Sequence, residues 1–227
     1  MKLAIFDIDG TLTATNEIDD ECFVKAFAET HQINDLETDW TKYKHVTDAG
    51  ILLEVFEKRL KRAPQEKDFA AFKKCFIGKL KEFAEKDAKL FAEISSARAM
   101  LEKLSLEKDW AIVLATGCFY DSAALKLSAA KMNIKDFPIA TADDAVSREE
   151  ILRIAVEKSL AYYRQNEFEK IVSIGDGVWD VRTAKNLNLE FIGIANGERA
   201  DRLREEGAEL IIEDFRDYKS FLEYLNK

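Results

Sequence analysis

Six short apolar runs punctuate the chain, at residues 2–6, 110–115, 137–140, 170–174, 190–194 and 209–212. Each is rich in aliphatic or β-branched residues and ends in polar residues or glycine, the pattern of buried strands. Apolar residues at helical spacing fill the intervals at 94–104, 119–131, 148–163, 178–187, 199–206 and 215–225. Strands alternating with helices predict right-handed crossovers and a parallel sheet covered on both faces, a doubly wound α/β fold.

One interval breaks the alternation. From about residue 15 to residue 86 no strand pattern occurs. Leu52, Val55, Phe56 and Leu60 share one helical face, as do Phe69, Phe72, Phe76, Leu80 and Phe83, and Pro64 separates the two stretches. An all-helical insert at 15–88 is expected, inside a sheet-bearing core made of 1–14 and 89–227. Residues 15–57 carry three lysines and eleven acids, and residues 58–86 carry ten basic residues and four acids. Two solvated faces of opposite sign account for this, the alternative being a basic surface that attracts an anionic substrate.

Over 227 residues, 47% are hydrophobic and 34% charged, enough apolar material for a substantial core. Lys plus Arg total 34 against 43 Asp plus Glu, a formal charge of −9. A net acid of this kind argues against nucleic-acid binding. No apolar stretch is long enough to cross a bilayer, and Met1-Lys2 leads into a run too short and acidic for a signal peptide, so a cytoplasmic location is expected. Cys22, Cys75 and Cys118 have no zinc-ligand spacing and read as reduced thiols, Cys118 being the one expected to be more exposed.

Candidate chemistry sits at the strand ends. Asp7-Ile8-Asp9-Gly10-Thr11-Leu12-Thr13 follows the first run. Carboxylates two apart on a strand face opposite ways, but a turn at Gly10 can bring both to the crevice where open α/β sheets bind ligands. Thr116-Gly117, after the second run and before a helix, offers a hydroxyl and free N–H groups to an anion. Gly175-Asp176-Gly177-Val178-Trp179-Asp180 follows the fourth run. Asp180 there could simply cap the next helix. With Asp7 and Asp9, these acids make the oxygen-rich set that Mg²⁺ prefers.

The combination of D-x-D-G-T and G-D-x-x-x-D in this order resembles the haloacid dehalogenase superfamily, over essentially the whole length. The insert resembles the α-helical cap of its phosphoglycolate-phosphatase-like members. The resemblance implies a Rossmann-like core whose first strand is flanked by the second and fourth. It implies that Asp7 is a nucleophile that becomes an aspartyl-phosphate and that Asp9 is the general acid and base. It also implies that Thr116 and Gly117 bind phosphate, and that Mg²⁺ is held by Asp7, Asp176, Asp180 and the backbone carbonyl of Asp9. Two neighbouring carboxyls can be driven apart in pKa, so Asp9 is expected to stay protonated beside a charged Asp7.

The family's basic phosphate clamp commonly precedes a proline, which this chain lacks. Arg148 is the choice and Lys158 the fallback; Arg148 pairing only with Glu149 or Asp144 is the alternative. Aspartate at position 9 favours phosphate-ester chemistry over dehalogenation. The expected activity is Mg²⁺-dependent hydrolysis of a small phosphorylated metabolite. A sugar-phosphate mutase is the runner-up, and a non-enzymatic phosphate-binding relative or a receiver domain less favoured. His45-Val46-Thr47-Asp48-Ala49-Gly50 is a polar, turn-like stretch of the insert that could face substrate. Trp40 and Tyr43 nearby are expected mainly to pack the insert's own core.

Overall fold

A computed structural model describes all residues, 1–227. Six parallel strands form one sheet: β1 (Lys2–Phe6), β2 (Trp110–Ala115), β3 (Ile139–Ala140), β4 (Ile171–Gly175), β5 (Glu190–Ile194) and β6 (Leu210–Ile212). Their order is β3-β2-β1-β4-β5-β6, so β1 is central between β2 and β4. Phe6 stands in register with Leu114 on one side and Ile174 on the other. The chain segments that leave β1, β2 and β4 therefore emerge side by side at one edge of the sheet, the edge where doubly wound folds bind ligands.

Nine α-helices accompany the sheet: α1 (Asn16–His31), α2 (Asp48–Val55), α3 (Glu66–Lys86), α4 (Ala97–Leu104), α5 (Tyr120–Ala129), α6 (Arg148–Tyr163), α7 (Val178–Asn186), α8 (Gly197–Glu205) and α9 (Tyr218–Asn226). The period-two alternation of strand side chains divides the core. Ala4, Phe6, Ile112 and Leu114 pack with Met100 and Leu104 of α4, Leu127 of α5 and Phe221 of α9. Leu3, Ile5, Ala111 and Val113 pack with Ile151, Leu152 and Ala155 of α6 on the other face.

Between β1 and α4 the chain is helical, with its own aromatic core. Phe23 and Phe27 of α1 meet Phe72 of α3 at ring-centroid distances of 4.9 and 4.6 Å. Phe91, Phe119 and Ala142 join the same cluster and so fasten it to the sheet-bearing part. After α2 the helix widens into a π-helical turn at Phe56–Leu60, which the apolar spacing did not anticipate. Five of the ten basic residues at 58–86 are paired: Lys58 with Glu54, Arg59 with Asp35, Arg62 with Asp68, Lys73 with Asp143 and Lys79 with Glu29. These ion pairs fit the solvated-face reading.

Several helices start later or stop earlier than the apolar pattern predicts, for local reasons. The last helix starts at Tyr218, not 215, because the Asp217 side chain caps it by accepting from Ser220 N. Helix α4 starts at Ala97, not 94, because Ser96 adopts the left-handed conformation with φ 66°. Helix α5 ends at Ala129, and the chain turns at Lys131 with φ 61°. No helix is long and apolar enough to cross a membrane.

Candidate active site

Beyond Phe6 the chain leaves β1 in a tight loop. The N–H groups of Leu12 and Thr13 both donate to Ile8 O, at 2.8 and 2.9 Å, and Gly10 N donates to Thr13 O at 2.7 Å. Gly10 supplies the required left-handed backbone, φ +71°. A Cβ there would collide with the Asp176 carboxylate and the Asn16 amide. The loop is thus folded tightly against the end of β4, and this closeness is what gathers the acids.

Asp7, Asp176 and Asp180 come together, all buried, with one carboxylate oxygen of each within 4.8 Å of the others. Asp7 Oδ1 has no hydrogen-bond partner. Asn16 Nδ2 donates to Asp176 Oδ2 at 2.9 Å, and Arg199 pairs with the same oxygen. Asp180 does two things at once. Its Oδ2 accepts from Gly177 N at 2.9 Å, closing the first turn of α7, while its Oδ1 accepts from Arg148 Nη1 at 2.6 Å.

Burial and the mutual repulsion of these acids set their protonation. Burial first, then Asp180, pushes the Asp7 carboxyl well above the usual range, with Arg148 opposing. Burial lifts Asp176 to about 7, against the pull of Arg199. Asp180 is also raised by burial, again opposed by Arg148. Three carboxylates with an unpartnered oxygen, crowded where each disfavours the others' charge, are a donor set that suits a hard divalent cation such as Mg²⁺.

The fourth acid is turned elsewhere. Asp9 Oδ1 accepts from Thr15 Oγ1 at 2.5 Å; its Oδ2 accepts from Cys118 Sγ at 2.7 Å and Lys126 Nζ at 2.8 Å. Lys126 is fully buried, pairs also with Asp19, and lies 3.2 Å from Cys118 Sγ. Its ammonium thus stands among Asp9, Asp19 and Cys118, the place a metal would otherwise take in that group. Burial would raise Asp9, but Lys126, Cys118 and Thr15 together hold it below the ordinary carboxylate value. The two shifts run opposite to the direction that a protonated Asp9 beside a charged Asp7 requires. Lys126 is the reason on one side, and the crowding of Asp7 the reason on the other.

Thr116 and Gly117 lie at the end of β2. Thr116 is buried, and its Oγ1 accepts from Cys118 N at 3.2 Å. A Cβ on Gly117 would stand 2.9 Å from both Arg148 Nη2 and Val46 O. Arg148, the first residue of α6, gives Nε to Val46 O at 2.8 Å, and its Nη1 lies 3.9 Å from Asp7 Oδ1. Arg148 is therefore engaged by neither Glu149 nor Asp144. Lys158 is far from these groups in its bonding: its ammonium holds Asp144 and Ile139 O. Cys118 is buried, not exposed, because its thiol is drawn under the site toward Asp9.

A cavity of about 130 Å³ lies between the sheet edge and the helical insert; Asp7, Thr116, Asp176 and Asp180 do not border it and are reached only past Asp9, Gly117 and Arg148. Asp9, Gly117, Cys118 and Arg148 border it from the core side. The stretch beginning at His45 borders it from the insert. Thr47 caps α2 through Gly50 N and donates to Val146 O at 2.7 Å, and Val46, Thr47 and Asp48 line the cavity. Trp40 both packs on Phe23, with ring centroids 5.8 Å apart, and lines the cavity. His45 itself is not among the lining residues, and His31 packs edge-on against Phe56 in the insert.

Lys126, Asp19 and Asp20 were not singled out by the sequence patterns. A weak signal existed for Lys126: Ala123, Ala129 and Ala130, its neighbours at helical spacing, are all apolar. A lysine on an apolar face needs a buried counter-charge.

A family model for haloacid dehalogenase-like hydrolases matches residues 1–188. The chain belongs to that family. No curated protein sequence matches it. Among solved structures it is similar to a hydrolase from Pseudomonas syringae, at 20% identity, TM-score 0.75 and 99% coverage of each chain. It is also similar to CbbY from Rhodobacter sphaeroides in complex with phosphate, at 17% identity, TM-score 0.68 and 96% coverage of each chain. A predicted phosphoglycolate phosphatase from Haemophilus somnus shares 15% identity, with TM-score 0.65 and 98% coverage of each chain.

Proposed function

We propose that this haloacid dehalogenase-like hydrolase cleaves a small phosphomonoester, with Mg²⁺ at the Asp7–Asp176–Asp180 cluster and residues 15–88 serving as a cap over the site. The observation that carries the proposal is the unpartnered, buried Asp7 Oδ1 standing between two further acids and the Arg148 guanidinium. A carboxylate is a poor nucleophile toward an anion unless positive charge surrounds the phosphoryl oxygens. Mg²⁺ held by Asp7, Asp176, Asp180 and the carbonyl of Asp9 would supply that charge and align the phosphoryl group.

The chain's own groups then have defined tasks. Arg148 Nη2 makes no hydrogen bond to protein, so it is the guanidinium N–H group left to receive a phosphate oxygen. The Asp7 carboxylate attacks phosphorus, and the bond from phosphorus to the alcohol oxygen breaks. Approach of the anionic ester raises the proton affinity of Asp9, which takes up a proton and passes it to the departing oxygen. In the second half, Asp9 accepts a proton from the water that attacks phosphorus; phosphate leaves and Asp7 is restored. A mutase must hold a second phosphate, and beyond Arg148 none of the cavity-lining residues is basic. That supports hydrolysis.

Phosphate release from a panel of small phosphomonoesters, with and without Mg²⁺, tests this. Wild type is expected to release phosphate only with the metal, and Asp7→Asn to lose at least about 10³-fold in kcat while remaining folded. Wild-type turnover by a folded Asp7→Asn protein would remove the nucleophile.

A further inference from the structure

The cavity above the site carries an unusual charge for an enzyme of anionic esters. Its insert-side wall holds Asp19, Asp20 and Asp48 beside the rings of Phe23 and Trp40. Asp19 shares the buried Lys126 with Asp9. The other two form no ion pair, and Lys126 acts on them only from a distance. Asp20 Oδ1 accepts only the Trp40 indole N–H, at 2.9 Å. Asp48 is just 6% exposed; its Oδ2 accepts from Phe119 N at 2.8 Å and its Oδ1 receives no hydrogen bond. The sole basic residue of the lining, Arg148, is held at the core edge by Asp180 and by Val46 O of the insert.

On the phosphatase reading, phosphate occupies the core side, near Asp7, Gly117 and Arg148, and the alcohol extends past Asp9 toward this wall. We propose that the wall selects esters whose alcohol bears a positive charge, an amino or quaternary ammonium group paired with Asp20 and Asp48. Carboxylates without an ion-pair partner, buried as Asp48 is or half-buried as Asp20 is, are costly, and an ammonium offsets that cost where a hydroxyl would give one hydrogen bond and leave the charges standing. The neighbouring aromatic rings suit a cation as well. A second anion on the alcohol meets like charge and no basic partner, so carboxylate-bearing esters and bisphosphates are disfavoured. The cost of these two carboxylates shows in their shifts: burial lifts Asp20 to about 6 and Asp48 to about 7, against the pull of Lys126.

Three esters of matched size separate the cases: 2-aminoethyl phosphate, 2-hydroxyethyl phosphate and carboxymethyl phosphate, with p-nitrophenyl phosphate as a general probe. With Mg²⁺ and the wild-type chain, kcat/KM is expected to favour the amino ester over the hydroxyl ester by about tenfold or more, and the carboxymethyl ester is expected to come last. Asp20→Asn and Asp48→Asn should each bring the amino-to-hydroxyl ratio toward one. Equal or better use of the hydroxyl or carboxymethyl ester by wild type overturns the charge selection while leaving the phosphatase standing. A preference kept in full by both variants removes these two carboxylates as its source. Absence of phosphate release from all four esters overturns the phosphatase reading and this inference with it. The wild-type ratios decide the matter even if a variant fails to fold.

Discussion

Asp7 is held in a place that disfavours its own charge. Its carboxyl is raised by burial and by Asp180 and Asp176, with only Arg148 opposing. Replacing it with the neutral, isosteric Asn removes one member of a repelling set. Metal-free Asp7→Asn is therefore expected to be more stable than wild type at pH 8, by about 1 kcal/mol, or about 2–4 °C in Tm for a chain of this size. Differential scanning calorimetry in a chelator checks this, and a clear loss of stability would mean that Asp7 makes favourable contacts in its charged form. Lys126 presents the opposite case. Its ammonium is fully buried and serves two acids, Asp9 and Asp19. Lys126→Met fills similar space but leaves both carboxylates buried without a counter-charge, a change expected to cost about 3–5 kcal/mol in urea unfolding. Adding Asp19→Asn to that variant should recover part of the loss. A Lys126→Met protein as stable as wild type would show that the acids find other partners.

The elements that assemble the site were readable in the sequence to different degrees. D-x-D-G-T and G-D-x-x-x-D were legible because their chemistry lies within a few consecutive residues after an apolar strand, and the parallel alternation places such strand ends together. Six strand runs and the helical insert followed from period alone. Helix ends were less legible, since Asp217, Ser96 and Lys131 set them through a cap or a left-handed residue. Least legible was whatever depends on packing one element over another. Lys126 lies in mid-helix, and only the seating of α5 beneath the insert turns it toward Asp9. Asp20 and Asp48 face the cavity because α1 and α2 are laid across the sheet edge, which no local spacing records. The tie between insert and core is short: Arg148 reaches Val46 O past Gly117. Gly117→Ala places a methyl group 2.9 Å from both partners, so insert and α6 must give way. The variant is expected to lose about tenfold or more in kcat/KM, with stability lowered by about 1–3 kcal/mol. Retention of full kcat/KM would show that the Arg148 contact is not what positions phosphate.

Taken across the molecule, the fold holds three mutually repelling acids, Asp7, Asp176 and Asp180, together and away from solvent. The consequence for pH has a definite sign. Asp176 titrates near 7 in the folded chain against an ordinary value of 3.8, and Asp7 and Asp180 are raised as well. A carboxyl that holds its proton more tightly when folded destabilises the fold increasingly as pH rises from about 4 to about 7, and by a constant amount above that. A divalent cation held by these carboxylates, as proposed, would bind their charged forms and add stability as RT ln(1 + [L]/Kd), opposed by protons in the same window. The rise in Tm on adding millimolar Mg²⁺ is therefore expected to be small at pH 5.5 and several degrees at pH 8, with the change centred near pH 7. In Asp176→Asn the shift should be largely lost at both values. Equal shifts at pH 5.5 and 8 in wild type would mean that the metal does not compete with protons for these carboxylates, and would place its site elsewhere in the chain.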